Sequence, residues 1–390
     1  MKKALIIGCG LVGSVIARYL AEECNYRVSV WDRRNHIAGN LYDYIDEHGI
    51  LVQKYGPHIF HTYNETIYDY VCRFASWEPY NLVCGAVIDN ICTPTAFNFK
   101  SIDLFYPKEE AREIKEHIKS MYGDREFATV IELLECSDPV IQKYAQFLYD
   151  KDYSLYTAKQ WGISPSEIDK SVLKRVPIRF SYDEAYFKDP FQALPREGYT
   201  AFVRNILNHP QISIELDTEA TGRISIINNV LHVDGTAVDY PIIYTGPLDY
   251  FFSFTEGFLP YRSLRFEWKY DNLESFQELP VIAYPQAEGF TRITEYKKLP
   301  VQHVAGTSYA VEYPIPYHAE CSDSEPYYPV LTDASQILYR QYYEKASQIQ
   351  NLYLCGRLAD YKYYDMDKAI ERALAFCNEN FERKSKETNE

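Results

Sequence analysis

The chain has 390 residues, more than one hydrophobic core usually contains, so two or three domains are expected. A net charge of −15, with lysines and arginines scattered along the sequence, argues against nucleic acid or an anionic membrane surface as a partner. No apolar run approaches the roughly 18 residues needed to span a membrane, and nine cysteines without a C-x-x-C pair indicate free thiols in the cytoplasm.

The N-terminal stretch MKKALIIGCGLVGSVIARYLAEE has two interpretations. Two lysines and an apolar run before Cys9 are typical of a bacterial secretion signal with a lipid-attachment cysteine, as in an exported sugar-binding lipoprotein. The same letters also give a strand over Lys3–Gly8, the pattern G-x-G-x-x-G and a helix over Ser14–Glu23. Arg18 would interrupt the apolar run of a signal, which favours the second interpretation.

A second strand candidate, Arg27–Asp32, ends in an acid nineteen residues after Gly13. In a dinucleotide-binding fold, glycines let the backbone approach a pyrophosphate at a helix N-terminus. An acid at the end of the second strand then binds the ribose hydroxyls. The order strand, glycine turn, helix, strand, acid therefore predicts a dinucleotide site at the start of the chain.

Helical and strand patterns follow along the rest of the chain. Helices are predicted over Lys108–Tyr122, Asp124–Asp150 and Ser164–Arg175. Strands and hairpins are predicted over Ile212–Asp217, Ile224–Ile227, Val230–Val233, Ile242–Thr245, Leu264–Tyr270, Val281–Tyr284, Thr291–Tyr296 and Tyr309–Tyr313. A strand over Leu352–Cys355 and a helix over Met366–Phe381 form a second strand–glycine–helix unit, whose helix N-terminus would face the redox end of the cofactor.

Several polar residues are candidates for a binding site. His58 and His61 lack an acidic or thiol partner at zinc spacing, so no metal site is predicted; a histidine here would donate to a flavin or a sugar hydroxyl, or satisfy polar groups of the core. Arg175 and Arg292 come from separate segments, as a diphosphate requires, although each could instead form a structural ion pair. Asp365 opens the last helix and could simply cap it.

Sequence patterns of nucleophilic and metal-dependent enzymes are missing. The chain contains no G-x-S-x-G, no H-E-x-x-H and no G-x-x-x-x-G-K phosphate loop. We therefore expect the cofactor to carry the reactive chemistry while the protein positions the substrate.

A set of motifs, in this order, resembles the bacterial UDP-galactopyranose mutases over nearly the whole chain: GCGLVG, NHIAGN, YGPHIFHT, YTAKQWG, LKRVPIRF, YTGPLD, TRITEYK, EPYYPV and GRLADYKYYDMD. The resemblance implies an α/β fold in three parts. These are a Rossmann-like FAD-binding domain (1–80, 200–250 and 345–385), a helical domain with a mobile substrate loop (100–176), and an antiparallel β-sheet domain (81–99, 177–199 and 255–330).

The resemblance also implies a reaction. UDP-galactopyranose and UDP-galactofuranose would interconvert through attack of reduced FAD N5 on the anomeric carbon and a flavin-iminium intermediate. NAD(P)H or another reductant would keep FAD reduced. A homodimer is compatible with this function.

The resemblance assigns roles to residues that match its motifs. The catalytic residues would be Arg175, Arg292 and His61. FAD would be bound by Gly8, Gly10, Val12, Gly13, Asp32, Arg33, Gly39, Asn40, His58, Ile59, Arg357, Tyr364, Asp365 and Met366. The nucleotide sugar would be bound by Asn81, Tyr156, Thr157, Trp161, Arg175, Tyr186, Arg292, Tyr328 and Tyr363.

The sequence departs from the family pattern near the predicted uridine site, where Leu155 replaces a glycine and Asp150–Ser154 is expanded. Such departures keep UDP-N-acetylgalactosamine and a dTDP-sugar open as substrates, while His61 favours the galactose form. An amine-oxidase-type flavin oxidoreductase is the alternative from another class. The two arginines argue against it, because an amine substrate would need an apolar or aromatic cage.

Overall fold

The computed structural model describes residues 1–162, 177–319, 321 and 324–383. Its helices are α1 (Leu11–Glu22), α2 (Glu65–Cys72), α3 (Phe99–Phe105), α4 (Lys108–Tyr122), α5 (Val130–Glu135), α6 (Pro139–Leu148), α7 (Ser154–Trp161), α8 (Tyr199–Leu207), α9 (Leu248–Phe251), α10 (Asp333–Ser347) and α11 (Met366–Asn380). A π-helical turn over Tyr149–Tyr153 joins α6 to α7.

The strands of the described residues run along the whole chain. They are β1 (Lys2–Ile7), β2 (Tyr26–Trp31), β3 (Asp43–Ile45), β4 (Leu51–Gln53), β5 (Phe60–Thr62), β6 (Trp77–Pro79), β7 (Cys84–Ile88), β8 (Ile91–Thr95), β9 (Phe127–Thr129), β10 (Pro177–Arg179), β11 (Phe191–Pro195), β12 (Ile212–Glu215), β13 (Ile224–Ile227), β14 (Val230–Val233), β15 (Thr236–Ala237), β16 (Ile242–Tyr244), β17 (Tyr261–Asp271), β18 (Val281–Ala283), β19 (Arg292–Glu295), β20 (Thr307–Pro316), β21 (Tyr328–Pro329) and β22 (Leu352–Leu354).

A five-stranded parallel sheet in the order β12-β2-β1-β16-β22 forms the first layer of the molecule. Its central strand β1 pairs Leu5 with Ser29 on one side and with Ile242 on the other. Helices α1 and α11 pack against each other on this sheet around buried aliphatic side chains. Cys9 is fully buried directly after β1, so the N-terminal stretch belongs to the folded core, as the dinucleotide interpretation requires.

A seven-stranded sheet in the order β21-β17-β20-β19-β18-β7-β8 forms the second layer. Its pairs are antiparallel except that β18 runs parallel to β7. Most of the predicted strands lie here and in the parallel sheet, whereas β13 and β14 form a separate sheet with β15. The observed bounds differ from the predicted ones by at most a few residues. The α/β fold with a Rossmann-like part and a largely antiparallel sheet is confirmed, whereas the domain bounds stay a prediction.

Helices α3 to α6 pack around a separate core that includes Ile102, Ile114 and Leu148. The single helix expected over Asp124–Asp150 is wrong, because β9 precedes α5 and a break precedes α6. Thr129 and Glu132 form a reciprocal capping box that starts α5, and Asp138 caps α6 with Pro139 in its first turn. The helix predicted over Ser164–Arg175 lies outside the described residues.

Six helices were not predicted, namely α2, α3, α7, α8, α9 and α10. Asn64 caps α2 and Thr332 caps α10, so both carried a start signal. Helix α8 follows Gly198 without a side-chain cap of its own; Asp43 from β3 instead accepts the amides of Tyr199 and Thr200 at 2.6 and 2.8 Å. No helix among the described residues is both long and apolar enough to cross a membrane.

Candidate active site

A cleft of about 540 Å³ opens where the two sheets and the π-turn meet. Residues from the loops after β1, β2, β16 and β22 line one wall, here called the nucleotide wall. Residues from the π-turn, α7, β19 and β21 line the other, here called the polar wall. One continuous space therefore joins the glycine turn at the start of the chain to charged and phenolic side chains far from it in sequence.

The nucleotide wall is a backbone cradle held open by glycines. A Cβ on Gly13 would lie 2.0 Å from the carbonyl oxygen of Gly8, and a Cβ on Gly39 would lie 2.9 Å from Gly10 Cα. Gly8 has a φ of 111°, which L side chains rarely adopt. Gly10 begins α1 without a side-chain cap, so the first amides of that helix are left to the cleft.

Asp32 lines the same wall and holds the glycine turn in place. Its carboxylate accepts the backbone N–H of Cys9 at 2.6 Å and of Arg34 at 2.9 Å. Beside it, Glu325 accepts hydrogen bonds from Arg33 at 2.6 Å and from Arg34 at 2.8 Å. Glu325 was not predicted as a site residue, although it stands in the motif EPYYPV; it ties the polar wall to the end of β2.

A second helix N-terminus reaches the cleft at α11, where Tyr364, Asp365 and Met366 line the wall. Asp365 occupies the N-cap position, but its side chain makes no capping hydrogen bond. It accepts the Tyr363 hydroxyl at 2.9 Å instead, so capping is not the role of this carboxyl. Two helix N-termini facing one cleft provide backbone donors and a partial positive charge for an anionic group.

These features fit an extended dinucleotide cofactor. The glycine cradle excludes side chains where a pyrophosphate would need the backbone, and a carboxylate stands at the end of β2. The same cleft includes residues at the start of α11, so it reaches both helix N-termini. No group of three or more histidine, cysteine, aspartate or glutamate side chains suited to a metal ion occurs among the described residues.

Arg292 is the fixed cation of the polar wall. It stands directly opposite Glu312 in the register of β19 and β20, and its Nε and Nη2 lie 2.8 and 2.7 Å from Glu312 Oε2. Burial alone would lower the pKa of Arg292, but the Glu312 charge and nearby phenols raise it well above its usual value. The Nη1 group has no hydrogen-bond partner among the described residues and is free to bind an anion.

The two histidines of YGPHIFHT differ in environment. Burial, with a smaller contribution from the Arg357 charge, lowers the pKa of His58 to about 3, so its imidazole is neutral at physiological pH. His61 stacks on Phe187 with ring centroids 3.7 Å apart, and its Nδ1 lies 3.2 Å from Asp189 Oδ2. Both histidines line the cleft, and His58 can there donate or accept only as the neutral ring.

Phenol rings surround the guanidinium of Arg357 on the polar side of the cleft. Arg357 lies 5.7 Å from the ring centres of both Tyr328 and Tyr363, which are 5.7 Å from each other. Cation–π contacts of this kind hold an arginine near an aromatic face while leaving its N–H groups available. The pair of tyrosines and the arginine therefore form one unit of the wall.

Helix α7 is positioned by side chains that point away from the cleft. Lys159 Nζ donates to the carbonyl oxygens of Tyr284, Ala287 and Phe290 at 2.6 to 2.8 Å. At the end of the helix, Arg262 Nε donates to Gln160 O at 2.9 Å. The lysine and the arginine of a neighbouring strand thus fix the helix that brings Tyr156 and Thr157 to the cleft.

The cleft brings together most of the predicted site residues, namely Gly8, Gly10, Val12, Gly13, Asp32, Arg33, Gly39, Asn40, His58, Ile59, His61, Tyr156, Thr157, Tyr186, Arg292, Tyr328, Arg357, Tyr363, Tyr364, Asp365 and Met366. Asn81 is exposed and does not line it. Arg175 lies outside the described residues, and nothing is described of the Trp161 side chain. Lining residues that sequence reasoning missed include Arg34, Asp152, Tyr317 and Glu325.

Comparisons with known proteins agree with this arrangement. The family model described as UDP-galactopyranose mutase matches residues 151–363, and a NAD(P)-binding Rossmann-like model matches residues 6–74. The UDP-galactopyranose mutase of Mycoplasma genitalium is 35% identical over 94% of this chain and 91% of its own length. The dTDP-fucopyranose mutase of Escherichia coli is 35% identical over 99% of this chain and 100% of its own.

A crystal structure of reduced UDP-galactopyranose mutase has a TM-score of 0.70 with this chain at 15% sequence identity, covering 97% of this chain and 93% of its own. At that identity the likeness shows a shared fold.

Proposed function

The chain belongs to the UDP-galactopyranose mutase family of FAD-dependent isomerases, and we propose that its own substrate is UDP-galactose, converted between pyranose and furanose forms. The observation that carries this proposal is the single cleft in which the glycine cradle and the anion-binding cation Arg292 share one space. The chain has none of the motifs of nucleophilic enzymes, and FAD, held by the nucleotide wall, would supply the nucleophile when reduced.

In this proposal, the residues of the cleft have different roles in binding and catalysis. The backbone of the nucleotide wall and Asp32 hold the cofactor. Arg292 binds the diphosphate and stabilises the negative charge that develops when the sugar leaves it; Glu312 keeps its guanidinium in place. We propose that Arg175 also binds the diphosphate, and that Tyr186, Tyr328 and Tyr363 donate to phosphate oxygens.

Tyr156, Thr157 and Trp161 are proposed to hold the nucleoside end of the substrate, and Asn81 to join from the rim. His61 is proposed to face the sugar, supported by its place in the cleft beside Asp189. The neutral imidazole of His58 accepts or donates a hydrogen bond without adding charge next to Arg292 and Arg357.

A dTDP-sugar is the second candidate substrate. It is supported by the dTDP-fucopyranose mutase that matches this chain over 99% of its length. Uracil and thymine share the same hydrogen-bonding edge, so the choice between the two nucleotides depends on the thymine methyl group, the ribose 2′-hydroxyl and the transferred sugar.

A product assay tests the proposal. Purified holoenzyme, reduced with dithionite, is incubated separately with UDP-galactofuranose, UDP-N-acetylgalactosamine and dTDP-fucopyranose, and the products are separated by chromatography. We expect fastest turnover of UDP-galactofuranose to the pyranose. Turnover of the dTDP-sugar alone would transfer the assignment to the second candidate. Absence of an isomer from every nucleotide sugar, together with reduction of the oxidised holoenzyme by an amine in a separate incubation, would contradict the mutase assignment.

We further propose that NAD(P)H or another small reductant reduces the cofactor, that the enzyme acts in the cytoplasm and that it forms a homodimer. Support for the reducing compartment comes from the nine cysteines, all of which are free thiols. Flavin bleaching under NADPH without oxygen, cell fractionation and sedimentation would test the three statements separately.

A further inference from the structure

Asp152 stands apart from the other acids that line the cleft. Asp32, Glu219, Glu325 and Asp365 each accept at least one hydrogen bond from a neighbour. None of the described residues donates a hydrogen bond to the Asp152 carboxyl or forms an ion pair with it, although the residue is only partly exposed and lines the cleft. A carboxyl group that is largely removed from water normally has a hydrogen-bonding partner, and Asp152 lines the cleft, where a ligand could provide one.

The position of Asp152 places it beside the proposed nucleoside site. It belongs to the π-turn Tyr149–Tyr153, which continues directly into α7, and it precedes Tyr156 by about one helical turn. Tyr153, Tyr156 and Thr157 line the cleft with it. Its negative charge contributes to raising the pKa of both tyrosines.

The charge state of Asp152 is set by burial. Loss of water raises its pKa to about 7, and the positive charge of Lys159 lowers the pKa by less. The lysine ammonium donates to three backbone carbonyls and makes no ion pair with Asp152. Lys159 is the titratable group whose charge acts on Asp152, and with a pKa of about 7 this carboxyl exchanges its proton near neutral pH.

A protonated carboxyl has one donor and one acceptor side by side. The imide edge of uracil or thymine offers the complement, an N3–H donor next to a carbonyl acceptor. We propose that Asp152 binds the imide edge of the pyrimidine base, accepting N3–H with its carbonyl oxygen and donating its own hydrogen to the neighbouring base carbonyl. This inference rests on the proposed function in that it requires a pyrimidine nucleotide sugar in the cleft.

Binding of nucleotides to the holoenzyme tests the inference. UDP and N3-methyl-UDP are titrated into the wild-type protein by calorimetry at pH 6.5; N3-methyl-UDP carries a methyl group in place of the hydrogen that Asp152 would accept. We expect N3-methyl-UDP to bind roughly tenfold or more weakly, the effect of leaving a buried polar group unpaired. Equal affinity for the two ligands would overturn the inference, while failure of UDP itself to bind would overturn the proposed function.

Two substitutions separate base recognition from a structural role. Asp152→Asn keeps a donor and an acceptor in the same places, and we expect it to bind UDP nearly as tightly as wild type. Asp152→Leu removes both, and we expect roughly tenfold weaker binding of UDP and of UDP-galactose alike. The matched control is Asp150→Leu, on the same turn but exposed and outside the cleft lining. Loss of affinity for UDP-galactose with UDP unaffected would mean that Asp152 contacts the sugar, and would overturn the inference.

The pH dependence gives an independent readout. Because the neutral form of Asp152 donates to the base, wild-type affinity for UDP is expected to fall about tenfold between pH 6 and pH 8.5, while Asp152→Asn stays flat over this range. The ligand comparison on wild-type protein still decides the matter if a variant does not fold. A wild-type profile that matches that of Asp152→Asn would contradict the role of the proton.

Discussion

The nucleotide wall and the polar wall of the cleft are built on different principles. The nucleotide wall is made by backbone: glycines that exclude side chains and two helix N-termini that present amides. The polar wall is made by side chains, and its cation Arg292 is held by Glu312 from the neighbouring strand. A backbone wall tolerates almost no added atoms, whereas a side-chain wall can lose a group and keep its shape. Variants on the two walls should therefore fail in different ways.

The largest effect is expected from Gly13→Ala on the nucleotide wall. The new Cβ would lie 2.0 Å from the carbonyl oxygen of Gly8, so the turn must open and the cofactor site with it. We expect the purified protein to lose its bound flavin and to unfold at a markedly lower temperature. The flavin absorbance per protein and the melting temperature measure this. Gly222→Ala is the control, since nothing lies within 4 Å of its new Cβ. An equal loss of flavin and of melting temperature in this variant would show that crowding by the new Cβ is not the cause.

On the polar wall, Arg292→Ala should abolish most catalysis without removing the flavin. Loss of a charged donor at a developing anion lowers kcat by about 10²- to 10³-fold. It also leaves Glu312, which is 2% exposed, without its partner, and this destabilises the fold.

The double variant Arg292→Met with Glu312→Gln separates the two roles of Arg292. It removes the unpaired charge and should recover stability but not activity. Recovery of activity in the double variant would show that Arg292 serves the fold alone.

Beneath the nucleotide wall, Asp249→Asn should raise stability in a pH-dependent way. Burial raises the pKa of Asp249 to about 6, an effect that the amide of Leu259 partly opposes. Since the folded-state pKa lies above the ordinary value near 4, the neutral form is favoured in the fold, and wild-type stability falls as pH rises from about 4 to 6. Denaturant titrations should show a gain of up to about 3 kcal/mol for the variant at pH 8, vanishing at pH 4. An equal gain at both pH values would contradict this.

The smallest effect is expected from Tyr328→Phe. The ring remains near Arg357 and keeps its cation–π contact, so only the proposed hydrogen bond to a phosphate is lost. That bond is worth about 1 kcal/mol, which predicts an increase in KM of about fivefold with little change in kcat. Initial-rate kinetics of the variant beside wild type measure the split. A fall in kcat of a hundredfold would instead place this hydroxyl at the reacting bonds.

Sequence reasoning succeeded where the signal is local. The glycine turn, Asp32 and the first two strands stand within a short stretch, and each glycine is explained by its own neighbours. Arg292 was recognised as a charged residue in a strand that needs a partner, and Glu312 is that partner. The identity of the partner depends on the register of β19 and β20, which the strand patterns alone do not define.

Long-range pairing explains the residues that were missed. Glu325 binds Arg33 and Arg34 across almost 300 positions of sequence, and nothing local marks it as part of a nucleotide site. Asp152 was overlooked because its neighbours in sequence suggested an expanded turn; its importance comes from the absence of a described partner, which only the packed structure shows. The division of Asp124–Asp150 into two helices depends on helix caps at Thr129 and Asp138. The helical period of the apolar residues does not reveal these caps.

The order of strands in the parallel sheet has a consequence for biosynthesis. The ribosome delivers β1 and β2 first, but β1 obtains its second neighbour only when β16, which begins at Ile242, has emerged, and the sheet is completed only by β22 at Leu352. Until then the growing chain carries an unpaired edge of a central strand, which can pair wrongly with other strands. The part of the protein that is easiest to recognise in the sequence is therefore among the last to finish folding during translation.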